Sequence, residues 1–348
     1  MLRSTQYERF PWEFRTQSQI RDDLLEACTR RLSELPGLNV LDPSLSSADA
    51  SALYRISHTA LEHPLLPEPD SADQLAQMVL AGVEEELCLL SPDEYALLGR
   101  LVSGLGETAI YSRDELPAAE MLARRLWLYI TMPEDGTVHL HMDIKLVSLF
   151  HACFQSAMSA RCHARMEEFQ EQTNYVLMYQ GMLPAPQALH MLQIMLTPEF
   201  TRREDLCRRA LLSMYDHAYA PDMELMLLHP GLAVPRLLMD RRDVLSPEPY
   251  DAITYPYAQF TDTESMVAER LAGLVHSALR QEKDGTQVLT DICILAKQGA
   301  GAEDMIRALA ACLVIGPTPD MIACVRELHA VIQPWPIAAA AAGGGTWP

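Results

Sequence analysis

Lysine is almost missing from this chain. Only Lys145, Lys283 and Lys297 occur, so nearly every cation is an arginine, whose planar fork suits fixed ion pairs; a compositional bias of the genome would give the same count. Positive charge as a whole is short, since Lys and Arg total 27 against 47 Asp and Glu, a formal net charge of −20 that works against binding polyanions. The eight cysteines contain no Cys-x-x-Cys pair and are scattered among apolar neighbours, which excludes the usual zinc and dithiol signatures and reads as reduced, buried small hydrophobes. No uninterrupted apolar run approaches the ~20 residues that a membrane helix needs, and Met1 to Phe14 carries Arg3 with no apolar stretch after it. The expectation is a cytoplasmic, non-membrane protein.

Motifs of catalysis are equally scarce. Gly99, Gly104 and Gly106 follow a helical stretch and lack the preceding strand that would aim a turn at phosphates, and Ser103-Gly104 has no nucleophile-elbow pattern. Glu84-Glu85-Glu86 and Glu167-Glu168 are not followed by a His three residues on, as a paired-metal helical site requires, so they read as solvated helix faces.

What is present in abundance is helix-start grammar. A Ser or Thr followed three residues later by Glu or Gln lets each side chain satisfy an orphan backbone N–H of the first turn. The pattern occurs at Thr16/Gln19, Ser71/Gln74, Ser91/Glu94 with Pro92 behind it, Ser112/Glu115, Thr201/Glu204 and Thr261/Glu264, each before apolar residues at helical spacing. Helices are predicted near 16–34, 47–62, 71–89, 91–103, 113–126, 145–179, 185–196, 201–217, 221–229, 262–282, 286–298, 302–314 and 319–332. The fold class is mainly α and multi-helical.

One segment departs from that pattern. Leu126 to Thr131, the turn Met132-Pro133-Glu134-Asp135-Gly136, and the alternating Val138 to Ile144 read as a β-hairpin over about 126–144. Helix, helix, the extended Thr108 to Tyr111, helix and hairpin is the layout of a winged helix. The domain reading is an N-terminal helical segment 1–66, a helical subdomain with the hairpin at 67–144, a central helical domain 145–245, a Pro/Tyr-rich connector 246–260, a C-terminal helical domain 261–336 and a disordered tail 337–348. Ala220-Pro221-Asp222-Met223, Ala302-Glu303-Asp304-Met305 and Thr318-Pro319-Asp320-Met321 echo one another as helix openings, though at unequal spacing, and are the weak sign of a stacked repeat.

Three sets of residues could carry function. His139, His141 and Asp143 sit at period two, so in a strand they share a face and could hold a zinc with an open position, with His151 or His163 as a further ligand; the plainer reading is the solvent side of a strand whose buried side is Val138, Leu140, Met142 and Ile144. Trp127, Tyr129, Tyr255 and Tyr257 are candidate partner anchors by residue type, with core packing as the default for each. Met178, Met182, Met191, Met195, Met214, Met223 and Met226 could line an adaptable groove or simply fill core. In a winged helix the third helix would read DNA, but here it mixes Arg113, Arg124 and Arg125 with Asp114, Glu115 and Glu120, and the wing tip carries Glu134 and Asp135.

The reading that follows is a non-catalytic protein-interaction scaffold or regulatory adaptor with a protein partner and no cofactor. A winged-helix DNA-binding regulator is the alternative, and a helical metalloenzyme using His139, His141 and Asp143 is the third.

Overall fold

The computed structural model describes residues 16–61, 69–133, 137–195, 204–219, 225–229, 262–280 and 284–335. It is mainly helical with two small antiparallel sheets, and among the described residues no helix is long and apolar enough to cross a membrane.

The N-terminal half builds one core. Helix α1 (Gln17–Glu34) opens on the expected capping box, Thr16 accepting from the Gln19 N–H while the Gln19 side chain accepts from the Thr16 N–H. Helices α2 (Ser47–Leu61), α3 (Ala72–Leu87) and α4 (Pro92–Ser103) follow, and the Ser91/Glu94 box closes in the same way. At Ser71 only the Ser half forms, because the Gln74 carbonyl is taken by the Asp70 N–H. Strand β1 (Glu107–Ala109), a 3-10 turn at Arg113–Glu115, α5 (Leu116–Arg124), β2 (Tyr129–Thr131) and β3 (His139–His141) complete the first sheet, in the order β1-β3-β2. The hairpin is therefore shorter than 126–144, and a third strand joins it. Gly106, at φ +95, allows the close pairing of Gly106 O with the Met142 N–H, since a Cβ there would lie 2.6 Å from Met142 O.

Residues on both sides of position 66 pack into one apolar cluster, from Cys28 and Leu53 to Leu98, Leu122, Trp127, Leu140 and Phe150. Residues on both sides of the boundaries read at 66 and 144 thus share one core. The last piece of this core is α6 (Ile144–Phe154). The single helix predicted over 145–179 breaks at Ser156, which accepts from the Met158 N–H and starts α7 (Ala157–Gln180).

From α7 onward the order of the first sheet is repeated. Strand β4 (Met182–Pro184), α8 (Ala185–Met195), α9 (Glu204–Met214), β5 (Asp216–Tyr219) and β6 (Leu225–Leu228) form a second sheet ordered β4-β6-β5. In both sheets a helix leads into a strand, helical structure follows, and the last strand inserts between the other two. The helix predicted over 221–229 is a strand at 225–228, a four-residue apolar run too short for periodicity to distinguish the two. The strand order thus recurs between the two sheets. Ala302 and Pro319 open successive helices, and Ala220–Met223 lies outside the described residues, as do the connector 246–260 and the tail.

A second apolar cluster joins Phe169, Leu183, Leu192 and Leu227 with Cys88 and Leu89, and the C-terminal helices α10 (Asp262–Val275), α11 (Gly285–Lys297), α12 (Ala302–Cys312) and α13 (Pro319–Val331) hold a third around Leu271, Ile292, Leu309 and Val325. It meets α1 through Asp291, whose carboxylate accepts the Ser18 backbone N–H at 3.0 Å and hydroxyl at 2.8 Å.

His229, just past β6, is buried, and that burial pushes its pKa down to about 4. The folded state therefore binds fewer protons than the unfolded state between about pH 6.5 and 4, so stability is fully present above 6.5 and falls as pH drops through this window. The expected loss is about 3 kcal/mol at 1.36 kcal/mol per pKa unit. Urea unfolding of the wild type and a His229→Gln variant at pH 7.5 and 4.5 tests this, and the variant should lose markedly less stability between the two. Equal losses in both proteins would sink the assignment.

Candidate functional site

The outward face of the first sheet is where the sequence candidates meet. Thr108, Ile130 and Leu140 share one row of the register and Leu140 is fully buried, so the rows on either side of it face out. One outward row is Glu107, His141 and Tyr129; the other is Ala109, His139 and Thr131. Tyr129 stacks on His141 with ring centroids 5.2 Å apart at 20°. His141 Nε2 lies 2.8 Å from Thr131 Oγ1, and its Nδ1 is 3.8 Å from Glu107 Oε1.

Carboxylate, imidazole and hydroxyl occur here in the order of an acyl-transfer triad, but the geometry does not make one. The 3.8 Å separation is beyond a hydrogen bond, and Glu107 is 79% exposed in its side chain, so the imidazole has no buried acid to hold its tautomer.

Exposed apolar side chains lie beyond both ends of this sheet. Antiparallel pairing brings the start of β1 and the end of β3 to one end of the sheet, where Leu105 (77% exposed) and Ile144 (61%) lie. At the other end, Tyr111 (78%) follows β1 and Met132 (39%) follows β2. Leu105 also holds φ +56, a left-handed conformation that costs a non-glycine residue about 1–2 kcal/mol. The second sheet differs, since Leu183 and Leu227 are buried on its core face and Met182 and Met226 are buried on the other. That places Met182 and Met226 in packing, as the core-filling reading of the methionines has it.

The metal trio does not assemble. His139 and His141 share the outward face, but Asp143 lies beyond the strand and caps α6. Its Oδ1 accepts the Lys145 N–H and its Oδ2 the Asn39 amide, both at 2.8 Å. His151 is exposed on α6, and His163 stacks on Tyr95 with centroids 3.9 Å apart. Among the described residues no three His, Cys, Asp or Glu side chains converge to hold a metal ion.

The anchors divide similarly. Trp127 is core, buried edge-on against Phe150 at 4.8 Å with the Arg125 guanidinium 5.5 Å from its ring. Leu126 delivers it there: at φ +61 it ends α5, and the Trp127 N–H donates to Leu122 O. Tyr129 is half-buried on the outward face, whereas Tyr255 and Tyr257 lie outside the described residues.

Helix α5, the piece that would enter a DNA groove, is covered by the chain itself. It packs on α1, α2 and α4 and buries Leu116, Ala118, Ala119, Glu120, Leu122 and Ala123. Arg31 grips the Glu120 carboxylate at 2.6 and 2.8 Å, and Arg124 adds a contact at 2.8 Å. Burial alone would raise the Glu120 pKa, but these two guanidinium groups hold it below the usual carboxylate value. Arg21 pairs with Asp114, Arg100 with Glu115, and Arg125 with Glu86 and Glu94. The arginine-rich composition is thus largely spent on internal pairs in this half of the molecule.

Glu107, Thr131, Leu105, Tyr111, Met132 and Ile144 were not marked by the sequence. Ile144 was expected on the buried side of the hairpin but is 61% exposed, because the chain leaves the strand and enters α6 there. Comparison with protein families, with curated proteins and with solved structures finds no match to this chain.

Proposed function

We propose that this chain is a non-catalytic protein-interaction scaffold that docks a partner on the outward face of its first sheet. The observation that carries the reading is the concentration of exposed large hydrophobic side chains at both ends of that sheet, around the half-buried Tyr129 and His141. Contiguous exposed apolar surface marks interaction sites, and burying it yields roughly 25 cal/mol per Å². Tyr129 is pre-stacked and loses little freedom on binding, as suits an anchor. Glu107 favours a partner with a cation opposite it. We read the two helix–strand–helix–hairpin units as winged-helix-like modules serving protein binding. The cover on α5 and the net charge of −20 weigh against DNA as the ligand.

The test compares tagged wild type with a Leu105→Asn, Ile144→Glu double variant in pull-downs from native host lysate at moderate salt, with and without nuclease. Both positions are exposed, Asn tolerates the left-handed backbone, and Glu suits the first turn of α6, so the fold should be retained. A stoichiometric protein partner, nuclease-resistant and at least tenfold depleted on the variant, is expected. Nuclease-sensitive retention of DNA, or equal partner recovery by both proteins, would reject the reading.

A further inference from the structure

Past the last helix, residues Gln333 to Trp335 cross from the C-terminal helices to the second sheet. The Gln333 N–H donates to Glu264 Oε1 at 3.0 Å, and the Trp335 N–H donates to the carbonyl of Lys297, the last residue of α11, at 2.8 Å. The Trp335 indole N–H then donates to Met178 O in the last turn of α7, at 3.0 Å. The ring lies on Gly181, where a Cβ would be 2.8 Å from Trp335 Cγ, and its centroid is 4.8 Å from that of His229. Gly181 sits at φ +82, so both its backbone and the space above it call for glycine.

Trp335 is fully buried, yet it belongs to neither apolar cluster that it joins. The C-terminal cluster draws on residues 267–332, and the cluster at the second sheet draws on α7 to β6 together with Cys88 and Leu89, so neither includes the ring and each can keep its core when the ring leaves. Small contacts between separately closed bodies open before the bodies themselves unfold.

We propose that Gln333–Trp335 is a releasable latch and that the slot formed by Met178 O, Gly181, His229 and Lys297 O is an indole-binding site, which the chain fills with its own Trp335. Opening the latch frees the C-terminal helices from the second sheet without unfolding either body. Because the slot recognises a flat ring and one N–H through backbone groups, a free indole can take the place of a missing side chain.

Hydrogen exchange on the full chain, wild type against Trp335→Ala, tests the proposal, with free indole as the probe. Truncating a buried Trp is expected to speed exchange by about 10²-fold or more at 178–183 and at the end of α11, leaving residues 92–131 unchanged, and millimolar indole should restore protection. A Trp335→Phe variant, which keeps a ring but lacks the N–H, should show a smaller increase centred on 178–183. Unchanged exchange in Trp335→Ala, uniform loss of protection across the chain, no response to indole, or failure of both variants to fold would each overturn the latch.

Discussion

Replacing Arg125 by alanine is expected to lower the unfolding free energy by about 3–5 kcal/mol, the usual cost of removing one partner from a buried ionic network. The guanidinium is 4% exposed, with Nη1 2.9 Å from Glu86 Oε2 and Nε 3.5 Å from Glu94 Oε1. Burial opposes its charge, but Glu94 and Glu86 more than offset this and leave Arg125 more basic than usual. Glu94 also accepts the Ser91 N–H at 2.8 Å, so one carboxylate starts α4 and binds the end of α5. Without the cation, the buried Glu94 carboxylate and the partly buried Glu86 lose the guanidinium they share. Arg125→Lys should fall between wild type and alanine, because a single ammonium cannot span both acids as the fork does. Urea unfolding followed by circular dichroism measures the series. An alanine variant within about 1 kcal/mol of wild type would mean that water enters and solvates the acids.

A loss of similar size, about 3–5 kcal/mol, is expected for Lys297→Ala. Lys297 Nζ lies 3.3 Å from Glu264 Oε1, with both side chains almost wholly buried. Burial pulls the lysine pKa down while Glu264 opposes the shift, and the net direction is downward. The same Glu264 oxygen accepts the Gln333 N–H, so the single variant leaves an uncompensated charge beneath the latch. The double variant Lys297→Met, Glu264→Gln should recover most of the loss, since it removes both charges and keeps an acceptor for Gln333. Thermal unfolding of the three proteins at pH 7.5 decides the matter; a double variant no better than Lys297→Ala would show that the site depends on the methylene packing of the lysine and not on its charge.

Glu264 also shows where local reading stops. In the sequence it is the Glu of a Thr261 capping box; in the fold it turns inward to Lys297 and Gln333, residues 33 and 69 positions away. At Ser91/Glu94 the box forms, and Glu94 is engaged by Arg125 as well; Thr261 lies outside the described residues. Asp143 behaves in the same way. Period two groups it with His139 and His141, but the chain turns into α6 at that residue, and its carboxylate serves the new helix and Asn39.

Sequence alone was enough for the mainly α class, the starts of α1, α3 and α4 and the existence of the hairpin. All of these rest on contacts within about four residues or on alternation along one strand. Tertiary structure alone decided that β1 joins the hairpin and that the strand order recurs in the second sheet. It also decided that α5 is covered, that Trp127 is core while Tyr129 faces out, and that Leu105, Tyr111, Met132 and Ile144 are exposed. The reason is range. A cap or an alternating strand is specified by neighbours along the chain, whereas cross-strand register, burial of a helix on both sides and pairing of an arginine with a distant acid depend on segments tens of residues apart, where one amphipathic pattern is compatible with many partners.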